Sequence, residues 1–166
     1  MNKGEILFRQ GESGPLFRID EGMLKVVRAY PDGASFIFNI ITPGEVLPHH
    51  SLVSAKEYHG TAIALTACEV TRIPASEWYG DMEREPAKYR EAALLLQNKL
   101  RMMQQRMDHL TAIEPLDKLR QLIGWFAAYM PETSLTELLT QEEIGQLLGL
   151  RRETVNRLLR KLAKTD

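Results

Sequence analysis

Leu139-Thr-Gln-Glu-Glu-Ile-Gly-Gln-Leu-Leu-Gly149, continued by Leu150-Arg-Arg-Glu-Thr-Val-Asn-Arg157, is the stretch on which the reading of this chain turns. Thr140 and Glu143 form a capping box, in which the threonine oxygen accepts from an orphan backbone N–H and the glutamate reaches back. Ile144, Leu147 and Leu148 give the helix that starts there an inner face. Gly145 is small where a second helix must cross closely. Gly149 can take positive φ and turn the chain sharply, and Leu150 plugs the corner. A second helix over 152–162 then buries Val155, Leu158, Leu159 and Leu162. A small residue, a glycine turn four residues later and a β-branched residue six beyond describe a helix-turn-helix of the DNA-reading kind.

The outward face of the second helix carries Arg152, Glu153, Asn156, Arg157, Arg160 and Lys161. Arginine near the start of such a helix can fork onto guanine O6 and N7, and glutamate can accept from cytosine N4. Base readout is therefore expected from Arg152, Glu153, Asn156 and Arg157. Phosphate contacts are expected from Thr140, Gln141, Arg151, Thr154, Arg160 and Lys161, helped by the helix N-terminus. The alternative is a helical hairpin with a solvated charged face, but an acid set between two arginines suits base edges better than a phosphate coat.

Upstream, Tyr89, Ala93, Leu96, Leu100, Met103, Met107 and Leu110 follow steps of four and three, an a/d seam held for more than three heptads. Pro86 suits a first helical turn, and a helix over 86–112 would be about 40 Å long. Gln97, Asn98, Lys99, Arg101, Gln104 and Gln105 flank the seam. Such a narrow stripe fits a partner helix in a parallel homodimer, with Leu96, Leu100, Met103, Met107 and Leu110 at the interface and Leu94 and Leu95 left to pack on the same chain. Pro115 disfavours helical geometry at Glu114, and a further helix is expected over 116–129, with Leu119, Leu122, Ile123 and Phe126 on one face.

The first eighty or so residues change period. Segments 5–8, 16–19, 24–29, 35–41, 60–65 and 69–73 are short, β-branched or aromatic, and separated by Gly11, Gly14-Pro15, Glu21-Gly22, Pro31-Asp32-Gly33 and Pro43-Gly44. Strands at that spacing, with no helices between them, predict an antiparallel barrel or sandwich. The fold class is therefore α+β: an N-terminal antiparallel β-barrel, a long dimerisation helix and a C-terminal helix-turn-helix.

Composition narrows the function. The 166 residues are 44% hydrophobic and 26% charged, the balance of a globular chain. Apolar runs such as 92–96 are far too short to span a bilayer, and no signal-peptide core opens the chain; a cytoplasmic protein without a membrane partner is expected. A net charge of −1 argues against a polybasic coat and leaves room for a local patch. The single cysteine, Cys68, excludes an internal disulfide, a four-thiolate cluster and a zinc ribbon, and reads as a small buried hydrophobe. No Walker loop, G-x-G-x-x-G, H-E-x-x-H or Ser/His/Asp set occurs, so no enzyme is expected.

The stretches 139–149 and 152–157 resemble the recognition signature of the catabolite-activator/fumarate-nitrate regulator (CRP/FNR) family of bacterial transcription regulators. Lys3-Gly-Glu-Ile-Leu-Phe-Arg-Gln-Gly11, Glu21-Gly22, Asp32-Gly33, Pro43-Gly-Glu45 and Thr66-Ala-Cys-Glu-Val70 resemble its glycine-paced sensor barrel. The resemblance covers nearly the whole chain. It implies a sensor barrel over 1–81 of double-stranded β-helix, cyclic-nucleotide-binding-like type, a dimerisation helix over 86–112 and a DNA-binding domain over 115–166. It also implies double-stranded DNA and RNA polymerase as partners, and a small-molecule effector whose signal in the barrel shifts the helix pair and the recognition helices. A β wing follows the recognition helix in the family; with the last residue at Asp166, that wing is expected to be missing or truncated.

Two departures bear on the effector. Cyclic-nucleotide members place Gly-Glu and then Arg-Ser or Arg-Thr where this chain has Pro48-His49 and Tyr58-His59. A buried phosphate without that arginine loses its charge-assisted partner, so cyclic AMP is not the expected effector. The iron–sulfur branch needs several cysteines. His49, His50, Tyr58 and His59 are the candidate effector pocket. No metal is assigned, because adjacent histidines in a strand would face opposite sides; haem is the alternative, since a haem-sensing branch uses a histidine hereabouts. The rival from another class is a metal-dependent cupin-type enzyme with the helical tail as an oligomerisation element. His49-His50 lacks the intervening residue of the cupin His-x-His, and such an enzyme would not need the helix-turn-helix.

Overall fold

The computed structural model describes residues 1–111 and 114–164. Two compact units, Met1–Met102 and Met103–Asp166, divide the chain inside its long helix. Of the expected domains, residue 112 of the dimerisation helix and residues 165–166 of the DNA-binding domain lie outside the described residues.

The first unit is built from β1 (Ile6–Phe8), β2 (Leu16–Glu21), β3 (Leu24–Ala29), β4 (Ser35–Ile41), β5 (Val46–Leu47), β6 (Thr61–Ala64) and β7 (Glu69–Ile73). They form two antiparallel sheets, in the orders β1-β6-β3-β4 and β5-β2-β7. The hairpin β3–β4 closes as Pro-Asp-Gly requires: Ala34 N–H is held by Asp32 Oδ1 at 2.9 Å and Tyr30 N–H by the Ala34 carbonyl at 2.8 Å. Alternate residues of the strands turn inward, so Phe8, Phe17, Ile19, Leu24, Ile41, Ala62 and Ala64 pack one core with Cys68, the small buried hydrophobe expected of it.

Three features depart from the sequence reading. A two-residue strand, β5, precedes Pro48. The segment His49–Ser51 is a 3-10 turn rather than a strand, because Pro48 has no N–H for a ladder and its carbonyl instead accepts from Ser51 N–H at 2.9 Å. A helix, α1 (Ala75–Arg84), follows β7 and buries Met82; Trp78 and Tyr79 pack beside it on a second core of Leu16, Val46, Leu52 and Ala92.

α2 (Ala87–Thr111) is the long helix. Its stripe Ala92, Leu95, Leu96 faces that second core. Leu96, placed at the partner seam by its spacing, is thus half-buried on its own barrel, whereas Leu94 is exposed. Leu100, Met103, Met107 and Leu110 are all exposed, Leu100 at 58% and Met107 at 64%. Lys99, expected among the solvated flanking residues, is buried at 6% exposure.

The second unit contains α3 (Pro115–Tyr129), α4 (Leu135–Leu138), α5 (Gln141–Leu148) and α6 (Arg152–Leu162). Leu119, Leu122 and Phe126 of α3, Ile144, Leu147 and Leu148 of α5, and Val155 and Leu158 of α6 are its buried residues, with Leu135, Leu138 and Leu139 from the α4 segment. Among the described residues no helix is long and apolar enough to cross a membrane.

Candidate DNA interface and sensor pocket

The helix-turn-helix is held by local chemistry at three points. Thr140 closes the capping box: its backbone N–H donates to Glu143 Oε2 at 2.8 Å, and Glu143 N–H donates to Thr140 Oγ1 at 3.2 Å. Gly149 ends α5 at φ 64°, a left-handed conformation natural to glycine. Gly145 is needed for space. A Cβ there would stand 2.5 Å from the Leu150 carbonyl oxygen, so the close neighbour is the turn itself rather than the crossing helix. Leu150 N–H donates to the Gly145 carbonyl at 2.9 Å, drawing the two together.

These contacts fix which side of α6 is outward. With Val155 and Leu158 buried, Arg152, Glu153, Arg157, Arg160 and Lys161 are exposed, as is Arg151 just before the helix; Thr154 and Asn156 are half-buried. Asn156 Nδ2 donates to Gln141 Oε1 at 3.0 Å, joining a residue expected on base edges to one expected on phosphate. Thr140, Gln141, Glu142, Arg152 and Asn156 line a recess of about 500 Å³ at the starts of α5 and α6. Arg151 makes no side-chain cap on α6, which leaves the N–H groups of its first turn for an outside acceptor.

The sensor residues are arranged differently. The Tyr58 ring packs 4.1 Å from that of Phe8, and its hydroxyl donates to the Pro15 carbonyl at 2.8 Å. Burial pushes its phenol up. The His50 ring stacks face to face on His59, centroids 3.8 Å apart, and His50 Nε2 hydrogen-bonds the Glu57 carbonyl at 2.9 Å. Burial first, then the neighbouring His59 and His49, pull the His50 imidazole down against the opposing effect of that carbonyl. One ring nitrogen and one ring face of His50 are thus engaged within the protein. The structure brings His50 and His59 together but directs His49 and Tyr58 to other partners. Among the described residues no three His, Cys, Asp or Glu side chains gather into a metal-holding group. Cavities of about 790 and 390 Å³ share the wall formed by Lys56, Glu57 and Tyr58, the larger reaching Arg72 and Tyr79.

His49 turns to Glu45, whose Oε2 lies 3.0 Å from its Nε2 and 2.7 Å from Lys99 Nζ. Burial alone would push the Glu45 carboxyl up; the hydrogen bond from His49 and the charge of Lys99 overcome it and hold the group at about 2. Lys99 and Glu45 were not among the candidate site residues. Their signal was the position of Lys99 on the Ala92–Leu95–Leu96 stripe, seven residues after Ala92.

Comparison with known proteins agrees with this geometry. Residues 1–85 match the model of the cyclic nucleotide-binding domain, and residues 117–166 that of the Crp-like helix-turn-helix domain. The chain belongs to the CRP/FNR family. Curated CRP relatives include the cyclic AMP receptor protein of Thermus thermophilus, 25% identical over 98% of this chain and 74% of its own length. The CRP-like cAMP-activated global transcriptional regulator of Mycobacterium tuberculosis is 28% identical over 95% of this chain and 73% of its own. Among solved structures, a CRP-family transcriptional regulator from Thermus thermophilus superposes with TM-score 0.80 at 23% identity, covering 99% of this chain and 84% of that one. The c-di-GMP responsive regulator CLP of Xanthomonas campestris gives TM-score 0.73 at 16% identity, over 99% and 85%. The α+β fold is thus that of the CRP family: a cyclic-nucleotide-binding-like β unit, a long helix and a C-terminal helix-turn-helix. The chain is a CRP-family transcription regulator with a DNA-binding helix-turn-helix, and its matched relatives are regulators rather than cupin-type enzymes.

Proposed function

We propose that the chain is a homodimeric, sequence-specific regulator that reads one half-site with each α6. Arg152, Glu153, Asn156 and Arg157 meet base edges, while Thr140, Gln141, Arg151, Thr154, Arg160 and Lys161 hold phosphates. The observation that carries this reading is the face of α6, basic with one interposed acid, standing opposite Val155 and Leu158 on a capped, glycine-turned frame. The exposed stripe Leu100, Met103, Met107 and Leu110 supports pairing of two α2 helices, with Leu96 at its barrel end.

The barrel receives the signal, and its effector is not cyclic AMP. Where cyclic-nucleotide members carry an Arg-Ser or Arg-Thr pair this chain has Tyr58-His59, and Tyr58 gives its hydroxyl to Pro15, so a buried phosphate would lack that charge-assisted partner. Haem is not assigned. RNA polymerase is the protein partner of a regulator that works at promoters in the cytoplasm.

Selection of bound fragments from random DNA tests the function. It should enrich a near-palindrome with half-sites about one helical turn, roughly 34 Å, apart. Failure to enrich any motif would refute the reading. Replacing Leu100 with Asp should halve the mass seen by light scattering, and an unchanged mass would refute the seam.

A further inference from the structure

Among the described residues Lys99 is the buried lysine, and neither the DNA face nor the exposed stripe accounts for it. Its ammonium donates to Glu45 Oε2 at 2.7 Å and to the Ile40 carbonyl at 3.4 Å. Glu45 belongs to the turn between β4 and β5, 54 residues away in sequence. Its other oxygen accepts from Thr42 N–H at 2.7 Å and from the Thr42 hydroxyl at 2.9 Å, and His49 of the 3-10 turn reaches Oε2 at 3.0 Å. Each carboxylate oxygen therefore has two donors. Together they come from the turn, the 3-10 segment and α2.

We propose that the Glu45 carboxylate is a built-in tether that locks α2 onto the sensor turn 42–45, and that the barrel acts on DNA affinity through it. This rests on the reading of the chain as a DNA-binding regulator. The apolar contacts of Ala92, Leu95 and Leu96 are non-directional and leave a helix free to slide or roll. A buried ion pair does not. A shift of α2 by one turn, about 5.4 Å, would take Nζ out of reach of Oε2 and leave two charges buried without compensation. The next residue, Leu100, is 58% exposed. Holding Lys99 inward therefore fixes the roll of α2 and with it the face that a second copy would meet. A sensor wired in this way is set by its own side chains, and a signal acts by loosening or reshaping the carboxylate site.

The test uses the full chain, amide hydrogen exchange across 95–102, and affinity for a duplex enriched from random DNA by the parent protein. Lys99→Met should speed exchange at 95–102 at least tenfold while β3 and β6 stay protected, and should change the duplex Kd at least fivefold. Lys99→Arg should recover most of both. Because Lys99→Met leaves Glu45 charged, the paired variant Glu45→Gln with Lys99→Met, which removes both charges, covers the case in which the single change unfolds the barrel; it should fold and still exchange fast. Leu95→Ala thins the packing but keeps the ion pair, and should leave Kd within twofold. Unchanged exchange in the paired variant would overturn the tether, and faster exchange with unchanged Kd would overturn its part in regulation. If the parent enriches no duplex, the DNA-binding reading fails, while exchange alone still decides whether the tether exists.

Discussion

In the helical unit the arginines of α6 point to solvent and the interior is apolar, whereas in the barrel unit Tyr58, His50, His49, Glu45 and Lys99 are turned onto partners of their own chain. Both arrangements satisfy the rule that a buried polar group must be paired, but they leave the two surfaces in different conditions. The α6 face keeps its donors outside, ready for a duplex. In the sensor stretch Tyr58, His50 and His49 are engaged with partners of their own unit, beside cavities walled by Lys56, Glu57 and Tyr58. The first surface is set by backbone sterics and caps, and the second by electrostatics.

That contrast can be broken in each unit separately. The largest effect is expected from Gly145→Val, which drives a branched side chain against the Leu150 carbonyl, 2.5 Å from where the Cβ must go. The loss should be about 3 kcal/mol or more, read as a fall in the melting temperature of the second unit together with loss of duplex binding. Wild-type stability would show that the turn tolerates far more than its geometry allows.

Acid should break the barrel side. The Glu45 carboxyl is held at about 2 in the folded chain against an ordinary value of 4.5, so the folded state favours its ionised form. A depressed carboxylate contributes stability above its unfolded value and loses it as pH falls through the folded one. The contribution, on the order of 3 kcal/mol, should therefore be complete above pH 4.5 and fade toward pH 2. Denaturant melts followed over that range should show the loss, and Glu45→Gln should flatten it. A Glu45→Gln protein with the parent's acid profile would mean that the carboxylate is not a buried, paired anion.

How much of this was legible in sequence follows from the same contrast. The Thr140–Glu143 box, the Gly149 turn and the outward face of α6 could be read because each rests on spacing within one short segment, where helical period alone separates inside from outside. The glycine-paced strands were legible too, β3, β4 and β7 to the residue. The sensor site was not. The opposite-faces argument for His49 and His50 assumes a strand that Pro48 stops. Lys99 falls among solvated residues by sequence because lysines are rarely buried, and only a carboxylate far away in the chain offsets its burial. α1 went unseen although Trp78, Tyr79 and Met82 follow helical spacing, since a ten-residue helix after a run of strands leaves a weak periodic signal.

The central claim is that α6 reads sequence with an arginine-led edge. Its most direct test is the affinity of Arg152→Ala for the selected duplex and for a scrambled one of the same length, at fixed moderate ionic strength. A loss of about 1–3 kcal/mol on the selected duplex, with the scrambled one little changed, is the predicted result. Parent-like binding to both, with discrimination intact, would contradict the account.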